Sequence, residues 1–392
     1  MTPSARVQAA IEILDEVIAS ARDDGPPADA IVQRYFKTRR YAGSKDRRAV
    51  RELMFRAVRR AAERPESGRA AMLGLADEDS QLAALFDGSA HGPAPRDGEE
   101  VIAPASLVPG WLQPRLSNLV TADEWPALLE RAPLDLRVNV ARAARDELVG
   151  AFDGAIPTRI SPWGLRLPSD TRIDDHPAFV QGLVDVQDEG SQLITLACRP
   201  ENGMQILDLC AGAGGKSLAL AAAAPGAKII ACDTNRARLA QLPPRAERAG
   251  ATIPTRLLDG GREAAQLAGL EGQCDVVLVD APCSGSGTWR RNPEGRWRLT
   301  PERLDRVTKL QARLLDIAAP LVKPGGALLY ATCSVLAAEG ADQARNFLGR
   351  HSSWIVQDVP FDGGRADGPG RLLTPAHDAT DGFFVARFVK PC

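Results

Sequence analysis

Apolar residues in the first ninety positions recur every three or four residues, which is the period of an amphipathic helix. One such helical face carries Val7, Ile11, Leu14 and Ile18. A second face, in the segment that starts near Lys45, carries Val50, Leu53, Met54, Ala57 and Val58. A third stretch, from Ala28 to Phe36, follows two prolines that suit the start of a helix better than its interior. The pattern predicts an all-helical domain over residues 1–90.

The polarity pattern changes after this domain. Residues 91–104 are rich in Gly, Pro and acidic residues, which predicts a linker. Apolar spacing from Trp111 to Glu130 favours a helix, and the segments 134–140 and 164–168 favour strands. Residues 184–198 predict a strand that leads into a helix. We therefore expect a small mixed α/β region over residues 105–198.

Short apolar runs alternate with helix-compatible sequence from residue 199 to residue 392. The runs occupy residues 204–210, 228–233, 274–280 and 327–333. Alternation of strands and helices is typical of parallel strands joined by crossover connections. This part of the chain is therefore predicted to fold as a doubly wound α/β domain with a parallel sheet.

Composition narrows the class of protein. The chain has 392 residues, of which 44% are hydrophobic and 25% charged, so a collagen, a coiled coil and a wholly disordered chain are excluded. Its seven cysteines are odd in number and widely spaced, which argues against a secreted disulfide scaffold. No apolar run approaches the roughly 20 residues of a membrane span, and the N-terminus lacks a signal-peptide core. We expect a cytoplasmic protein.

Positive charge is concentrated between residues 34 and 60, although the formal net charge of the whole chain is only -2. Eleven Lys and Arg residues of this segment are offset only by Asp46 and Glu52, and Tyr35, Phe36 and Tyr41 lie among them. One interpretation is a solvated helix face above core aromatic residues. The other is a surface that binds nucleic-acid phosphates, because clustered cations release counterions there. The residue pattern leaves both interpretations open.

A Gly-rich turn follows the first predicted strand of the α/β domain, in the sequence ILDLCAGAGGKS at residues 206–217. Its glycines let the backbone approach a ligand closely, and the following helix offers free N–H groups. Such a turn serves either a dinucleotide or a nucleoside-type cofactor. A further apolar run, RLLD at residues 256–259, predicts another strand, so four strands end in acidic residues, at Asp208, Asp233, Asp259 and Asp280. Since Asp233 closes the second strand, it is suited to bind ribose hydroxyls.

Two cysteines lie just past predicted strands, Cys283 in DAPCSGSG (residues 280–287) and Cys333 in YATCS (residues 330–334). Neighbouring strands lie roughly 5 Å apart, so the two thiols are expected to face one pocket. Zinc is disfavoured, because the two cysteines lack the paired spacing of a zinc site and further ligands. We therefore expect no metal. We interpret Cys198, Cys232 and Cys274 as small buried hydrophobic residues.

At these motifs the sequence resembles the Nop/Sun family of RNA (cytosine-5) methyltransferases. The likeness extends to RYFKTRRYAGSKDRR at 34–48, LDLRVN at 134–139, VQDEGSQ at 186–192, RRNPEGRWR at 290–298 and DGFFVARF at 381–388. It implies a NusB-like helical N-terminal domain, an RNA-recognition region and a Rossmann-like methyltransferase domain that uses S-adenosylmethionine. RNA is then the partner, and small-subunit rRNA is favoured over tRNA by analogy of architecture. The oligomeric state stays open.

The resemblance also implies roles for individual residues. Cys333 is the nucleophile, Cys283 assists release of the methylated base, and Asp280 lies near the transferred methyl and the target base. Asp233 holds the cofactor's ribose and Asp259 lies near its adenine. The methionine part is wrapped by Cys210, Ala211, Gly212, Ala213, Gly214, Gly215 and Lys216.

This chemistry explains the residue types. Carbon 5 of cytosine is a poor nucleophile, and addition of a thiolate at carbon 6 activates it for methyl transfer. A hydrogen-bonding acid near ring nitrogen 3, such as Asp280, favours the addition, and a second base removes the carbon 5 proton. A positive charge from Lys216 or the cofactor's sulfonium must favour the thiolate. Either cysteine could attack, since DNA cytosine-5 methyltransferases use the cysteine of a Pro-Cys motif.

Two features depart from the family pattern. The Gly-rich turn has Ala213 where the family usually carries Pro, which affects loop rigidity by about 1 kcal/mol or less. The pair Pro243 and Pro244 is expected to shorten or break the helix after Asp233.

Three alternatives differ from this hypothesis in function. A non-catalytic RNA-binding ribosome-assembly factor would not need both cysteines and all four acidic residues. An NAD-dependent oxidoreductase leaves the thiols and the basic segment unexplained. A methyltransferase acting on exocyclic amines usually has an Asn/Asp-Pro-Pro-aromatic motif, whereas Asp280-Ala-Pro-Cys stands here.

Overall fold

The computed structural model of the protein describes residues 1–392 and contains sixteen α-helices and thirteen β-strands. The helices are α1 Pro3–Arg22, α2 Ala28–Thr38, α3 Ser44–Arg60, α4 Gly68–Asp77, α5 Ser80–Ala83, α6 Arg145–Val149, α7 Pro177–Val180, α8 Glu189–Ala197, α9 Gly215–Ala223, α10 Arg236–Leu239, α11 Leu242–Ala249, α12 Glu263–Leu267, α13 Gly295–Arg298, α14 Pro301–Leu321, α15 Ala341–Arg350 and α16 Pro375–Asp378. The strands are β1 Leu134–Val138, β2 Ile156–Pro157, β3 Gly164–Leu167, β4 Val184–Val186, β5 Gln205–Asp208, β6 Lys228–Asp233, β7 Thr255–Leu257, β8 Cys274–Asp280, β9 Val322–Thr332, β10 Ile355–Gln357, β11 Arg365–Asp367, β12 Gly370–Leu373 and β13 Phe383–Val389. None of the helices combines the length and the apolar character that crossing a membrane requires.

The chain separates into two compact units whose limits differ from the expected domain boundaries. The first unit comprises Met1–Arg115, Trp125–Glu130 and Thr288–Pro301, and the second comprises Leu116–Glu124, Arg131–Gly287 and Glu302–Cys392. Residues 91–104, expected as a linker, belong to the first unit. The buried Ala103 donates its N–H to the carbonyl of Ala70 in α4 over 3.1 Å, which attaches this segment to the helices. The boundary expected at residue 198 lies inside the second unit.

Helices α1 to α5 form the body of the first unit, as the apolar spacing predicted. Pro3 occupies the first turn of α1, and the Thr2 hydroxyl accepts a hydrogen bond from the N–H of Ala5, which caps the helix. Val7 and Leu14 are fully buried, whereas Ile18 is only partly buried. The apolar spacing therefore identified the buried face of α1 correctly, but Ile18 lies at the edge of that face and not within it.

The segment Thr288–Pro301 joins this helical unit although it follows the Cys283 loop in sequence. Trp297 is 2% exposed and donates its Nε1 hydrogen to the carbonyl of Ala61 over 2.8 Å. The buried Arg296 guanidinium donates to carbonyls including Val58, near the C-terminal end of α3. The Glu294 carboxylate accepts a hydrogen bond from the N–H of Ala28 at the start of α2. The negative Glu294 thus lies at the N-terminal end of α2 and the positive Arg296 at the C-terminal end of α3, which are the signs that the helix dipoles favour.

A four-stranded antiparallel sheet with the order β2-β3-β1-β4 lies in the second unit. It confirms the strands expected at 134–140, 164–168 and the start of 184–198. The helix expected from Trp111 to Glu130 is wrong, because only 3-10 turns form, at Gln113–Arg115 and Ala122–Leu128. Pro114 and Pro126 lie within these turns and cannot donate the backbone hydrogen bonds of an α-helix.

A nine-stranded sheet forms the rest of the second unit, with the order β11-β12-β13-β9-β8-β5-β6-β7 and β10 paired to β13. Strands β9, β8, β5, β6 and β7 run parallel to one another, which confirms the predicted doubly wound domain. The strand order reverses between β5 and β8, the position where open α/β sheets bind ligands. After Asp233 the chain forms the short α10 and then α11, so the expected helix break near Pro243 is confirmed.

Candidate active site

The predicted acidic residues and cysteines lie at the carboxyl ends of the parallel strands. Asp208, Asp233 and Asp280 are the last residues of β5, β6 and β8. Asp259 lies two residues beyond β7 and interacts with Gln266 at the exposed edge of the sheet. Because β5 and β8 are hydrogen-bonded neighbours, Asp208 and Asp280 flank the point where the strand order reverses.

The Gly-rich turn between β5 and α9 needs glycine at two positions. Gly212 and Gly214 have positive φ angles of 55° and 82°. A Cβ atom on Gly214 would lie 2.2 Å from the Leu242 side chain, so a larger residue would also require Leu242 to shift. The Asp233 carboxylate accepts the N–H of Gly212 over 2.7 Å and thereby connects the turn to the end of β6.

Asp208 is buried beneath this turn and is only half satisfied by hydrogen bonds. Its Oδ2 accepts the Ser217 hydroxyl over 2.6 Å, whereas Oδ1 has no partner. Burial raises the pKa of Asp208 to about 7, an effect opposed by the Ser217 hydrogen bond and increased by the charge of Asp280. A buried acceptor without a donor is rare in folded proteins. The turn therefore fits a ligand that brings a donor group to Asp208 and hydroxyl groups to Asp233.

The two predicted cysteines meet. Cys283 Sγ and Cys333 Sγ are 3.3 Å apart, and both side chains are partly exposed. The hydrogen bond to Cys333 and burial raise the pKa of Cys283 well above its ordinary value, and the negative charges of Cys333 and Glu339 add to the effect. The raised pKa favours the protonated form of Cys283, which lies within hydrogen-bond distance of the Cys333 sulfur.

A cation lies beside this pair. Lys216 Nζ is 2.6 Å from Asp280 Oδ2 and 5.6 Å from the ring centre of Phe383. Burial disfavours the charged lysine, but the Asp280 carboxylate and the charge of Cys333 outweigh burial and raise the pKa of Lys216. The ammonium ion thus stays charged close to Asp280 and Cys333.

The remaining cysteines stand apart from the pair. Cys198, Cys232 and Cys274 are buried, as expected, and burial raises the pKa of both Cys198 and Cys232 to about 12. Cys210, in the Gly-rich turn, is partly exposed, and burial raises its pKa as well.

The loops that carry the two cysteines are packed against each other through glycine. The N–H of Gly287 donates to the carbonyl of Cys333 over 3.0 Å, and the N–H of Gly382 donates to the carbonyl of Gly287 over 2.8 Å. A Cβ atom on Gly287 would lie 2.0 Å from the Gly382 carbonyl oxygen. Gly287 therefore contacts both the Cys333 loop and the segment at Gly382, and a side chain at residue 287 has no room.

Sequence reasoning missed several polar residues around the site. Arg245 of α11 donates to the carbonyl of Ala213 over 2.6 Å and holds the turn where the family pattern has proline. The buried Glu339 and Gln311 bond to the cysteine loops. No motif marks them, because Arg245 and Gln311 come from distant helices and Glu339 contacts the Cys283 loop only in the folded chain.

Nearly half of the positive charge between residues 34 and 60 is neutralised within the first unit. Five of its arginines form ion pairs with acidic side chains: Arg34, Arg39, Arg51, Arg56 and Arg60. Of the other six cations, Arg47 and Arg59 donate to the backbone carbonyls of Ala42 and Leu129. The remaining four are Lys37, Arg40, Lys45 and Arg48. They surround the loop between α2 and α3, where Tyr41 is 73% exposed. The segment thus contains both a solvated helix face and a compact unpaired cluster.

The family described as 16S rRNA methyltransferase RsmB/F matches residues 194–389, which is half of the chain. The chain belongs to the RsmB/F family. The family match covers β5 to β13 and both cysteine loops. Its limits therefore include every residue of the predicted site.

Relatives of this RsmB/F chain agree with the assignment. Ribosomal RNA small subunit methyltransferase B of Salmonella paratyphi B is 37% identical over 292 residues, 72% of this chain and 66% of that protein. The protein of the same name from Salmonella typhi matches with the same identity and coverage. The crystal structure of PH0851 superposes with a TM-score of 0.76 at 25% identity and covers 100% of this chain and 99% of its own. NSun6 from Pyrococcus horikoshii with SFG, at 18% identity, shares the fold with a TM-score of 0.59 over 68% of this chain and 92% of its own.

Proposed function

We propose that this chain uses S-adenosylmethionine to methylate carbon 5 of a cytosine in 16S rRNA, through a covalent adduct with Cys333. The observation that carries the proposal is the 3.3 Å separation of Cys283 Sγ and Cys333 Sγ beside the Lys216–Asp280 ion pair. Two thiols within hydrogen-bond distance just past adjacent parallel strands suit a reaction with a covalent and a release step. RsmB/F membership and the named relatives support rRNA as the substrate.

The cofactor site of this proposal is the Gly-rich turn. Cys210, Ala211, Gly212, Ala213, Gly214, Gly215 and Lys216 wrap its amino-acid part, Asp233 binds its ribose, and Asp259 lies toward its base. Bound S-adenosylmethionine supplies a methyl group on a positively charged sulfur. The unpartnered Asp208 Oδ1 is suited to accept a hydrogen bond from an ammonium group.

Cys333 adds to carbon 6 of the cytosine as a thiolate. Lys216 stabilises this thiolate, because its ammonium ion interacts with the charge of Cys333. The Lys216–Asp280 pair offers a hydrogen bond to ring nitrogen 3, which accepts the electron pair displaced by the addition. Carbon 5 thereby becomes nucleophilic enough to accept the methyl group.

Release requires loss of the carbon 5 proton and cleavage of the bond between carbon 6 and sulfur. Adduct formation neutralises Cys333, and the hydrogen bond to Cys333 is the largest cause of the raised pKa of Cys283. Cys283 then loses its own proton to water more readily, and the resulting thiolate accepts the carbon 5 proton. The electron pair of that C–H bond expels the Cys333 thiolate and restores the ring.

A pair of cysteine variants tests the proposal. The purified protein is incubated with 16S rRNA and methyl-labelled cofactor, and denaturing gels report any covalent protein–RNA species. Cys283→Ala should accumulate the adduct, whereas Cys333→Ala should form none. The reverse pattern would exchange the two roles, and no adduct together with no transferred methyl would refute the proposed chemistry.

Substrate choice is tested in cells. Bisulfite sequencing of total RNA should lose one 5-methylcytosine signal in 16S rRNA when the protein is absent. Loss of signal in tRNA alone would contradict rRNA as the substrate.

A further inference from the structure

Glu339 is a fully buried carboxylate whose hydrogen-bond donors are all neutral. Its Oε1 accepts the N–H of Ser284 over 2.8 Å and Nε2 of Gln311 over 3.0 Å, while Oε2 accepts the hydroxyl of Ser334 over 2.6 Å and that of Ser284. Burial of a charge without a cationic partner is costly. A carboxylate kept at such a cost is expected to perform a task that a neutral residue cannot.

The hydrogen bonds of Glu339 connect the residues next to both cysteines. Ser284 follows Cys283 directly, and Ser334 follows Cys333 directly. Both hydroxyls donate to the same carboxylate oxygen. Any movement of one cysteine loop relative to the other must break these bonds.

The residues that precede the cysteines are connected to Glu339 as well. Gln311 donates through Nε2 both to Glu339 and to the carbonyl of Pro282, which precedes Cys283. The hydroxyl of Thr332, which precedes Cys333, donates to the Glu339 carbonyl over 3.2 Å. Glu339 and Gln311 thus hold each cysteine from both sides.

Charges are distributed unequally around the thiol pair. Cys283 Sγ lies 3.3 Å from Cys333 Sγ, and the negative charge of Glu339 is among the causes that raise the pKa of Cys283. The charge of Cys333 interacts instead with the ammonium ion of Lys216, which Asp280 holds. A negative charge beside one thiol and a positive charge beside the other favour a proton on the first and a thiolate on the second. The burial of Glu339 increases this effect, since water screens it little.

We propose that Glu339 is a positioning residue that fixes the distance between the two cysteine loops and keeps the proton of the pair on Cys283. The proposal rests on the proposed function for the distinct roles of the two cysteines. It adds a residue outside both cysteine motifs that assigns those roles.

Two substitutions separate the effect of the hydrogen bonds between Glu339 and the cysteine loops, here called the tether, from the effect of its charge. Glu339→Gln keeps an acceptor for Ser284 N–H and Gln311 and an amide for the serine hydroxyls, but removes the charge. Glu339→Ala removes both. Glu263→Gln is the matched control, because Glu263 is a buried carboxylate, 2% exposed, that pairs with Arg313 away from the cysteines.

The first readout is alkylation of Cys283 by iodoacetamide at a series of pH values, followed by mass spectrometry. We expect the half-point of Cys283 alkylation in Glu339→Gln to fall by about one pH unit or more. Glu263→Gln should leave it at the wild-type value. An unchanged half-point in Glu339→Gln would show that the charge of Glu339 does not keep the proton on Cys283.

The second readout is methyl transfer, with melting temperature measured in parallel. Glu339→Ala should lower kcat by about 100-fold or more, since a displacement of 1 Å between reacting groups can cost that factor, with KM for RNA unchanged. Wild-type kcat in Glu339→Ala would show that the hydrogen bonds of Glu339 do not fix the distance between the cysteine loops. If Glu339→Ala fails to fold, alkylation of Glu339→Gln still tests whether the charge of Glu339 keeps the proton on Cys283. Absence of methyl transfer by the wild type would instead refute the proposed function, because alkylation does not depend on RNA.

Discussion

Gly287→Ala perturbs the contact between the Cys283 loop and the segment at Gly382, beside the hydrogen bond from Gly287 to Cys333. The added Cβ atom would lie 2.0 Å from the Gly382 carbonyl oxygen, and real Cβ contacts are essentially never shorter than 3.0 Å. The two segments must therefore separate by about 1 Å, since the opposing atom belongs to backbone and cannot rotate away. That movement strains the Gly287–Cys333 and Gly382–Gly287 hydrogen bonds.

Overpacking of this kind costs about 2 kcal/mol, which lowers the melting temperature of a unit of this size by about 4–8 °C. Displacement of the Cys283 loop relative to Cys333 by about 1 Å should reduce methyl transfer by about 100-fold in protein that is still folded. Calorimetry and initial rates at a temperature well below the transition measure the two effects separately.

Gly269→Ala is the matched control, because nothing lies within 4 Å of its added Cβ atom. It should leave the melting temperature and the rate near wild type. Wild-type activity in Gly287→Ala, or equal losses in both variants, would refute the reasoning that this glycine contact places the cysteines.

Two further predictions concern charge. Because burial raises the pKa of Asp208 to about 7, the folded chain holds a proton that the unfolded chain releases from about pH 4 upward. The stabilisation from this group is therefore lost as pH rises through about 7, and Asp208→Asn should flatten the decline of the free energy of unfolding between pH 4 and 7 in chemical denaturation. An equal slope in both proteins would contradict the raised pKa. Replacement of Lys37, Arg40, Lys45 and Arg48 by Ala should weaken RNA binding and lower its salt dependence by up to about 3–4 in the log–log slope. Alanine at the ion-paired Arg34 and Arg51 should change the slope less, and equal effects of the two sets would argue against the unpaired cluster as the RNA surface.

The doubly wound domain was predictable because its information is local. Short apolar runs that end in Asp208, Asp233 and Asp280 indicate strands by themselves, and parallel strands present their carboxyl ends at one edge. The approach of Cys283 to Cys333 follows from the same rule once β8 and β9 are neighbours. Only the pairing of those two strands had to be assumed.

The unpredicted features depend on contacts between distant residues. Glu294, Arg296 and Trp297 lie in a segment that follows Cys283, yet they contact helices more than two hundred residues earlier in the chain. No periodicity in RRNPEGRWR reveals that location, so the domain boundaries drawn from sequence assigned it elsewhere. Glu339 was missed for the same reason, since its serine and glutamine partners come from three separate elements.

Other differences arise from competition between local rules. Apolar spacing from Trp111 to Glu130 favoured a helix, but Pro114 and Pro126 prevent regular α-helical hydrogen bonding, and the prolines decide. In the basic segment, charge counting overlooked the acidic residues of neighbouring helices that pair with five arginines. The three-dimensional arrangement of Glu12, Glu16 and Asp29 was needed to find them.

The central claim is that Cys333 bonds to the target base. RNA that contains 5-fluorocytosine traps such an adduct in the wild-type enzyme, because fluorine on carbon 5 cannot leave as a proton does. Proteolysis and mass spectrometry then identify the cysteine that carries the nucleotide. We predict that the modified peptide contains Cys333 with Cys283 unmodified; a nucleotide on Cys283, or on neither cysteine, would contradict the account.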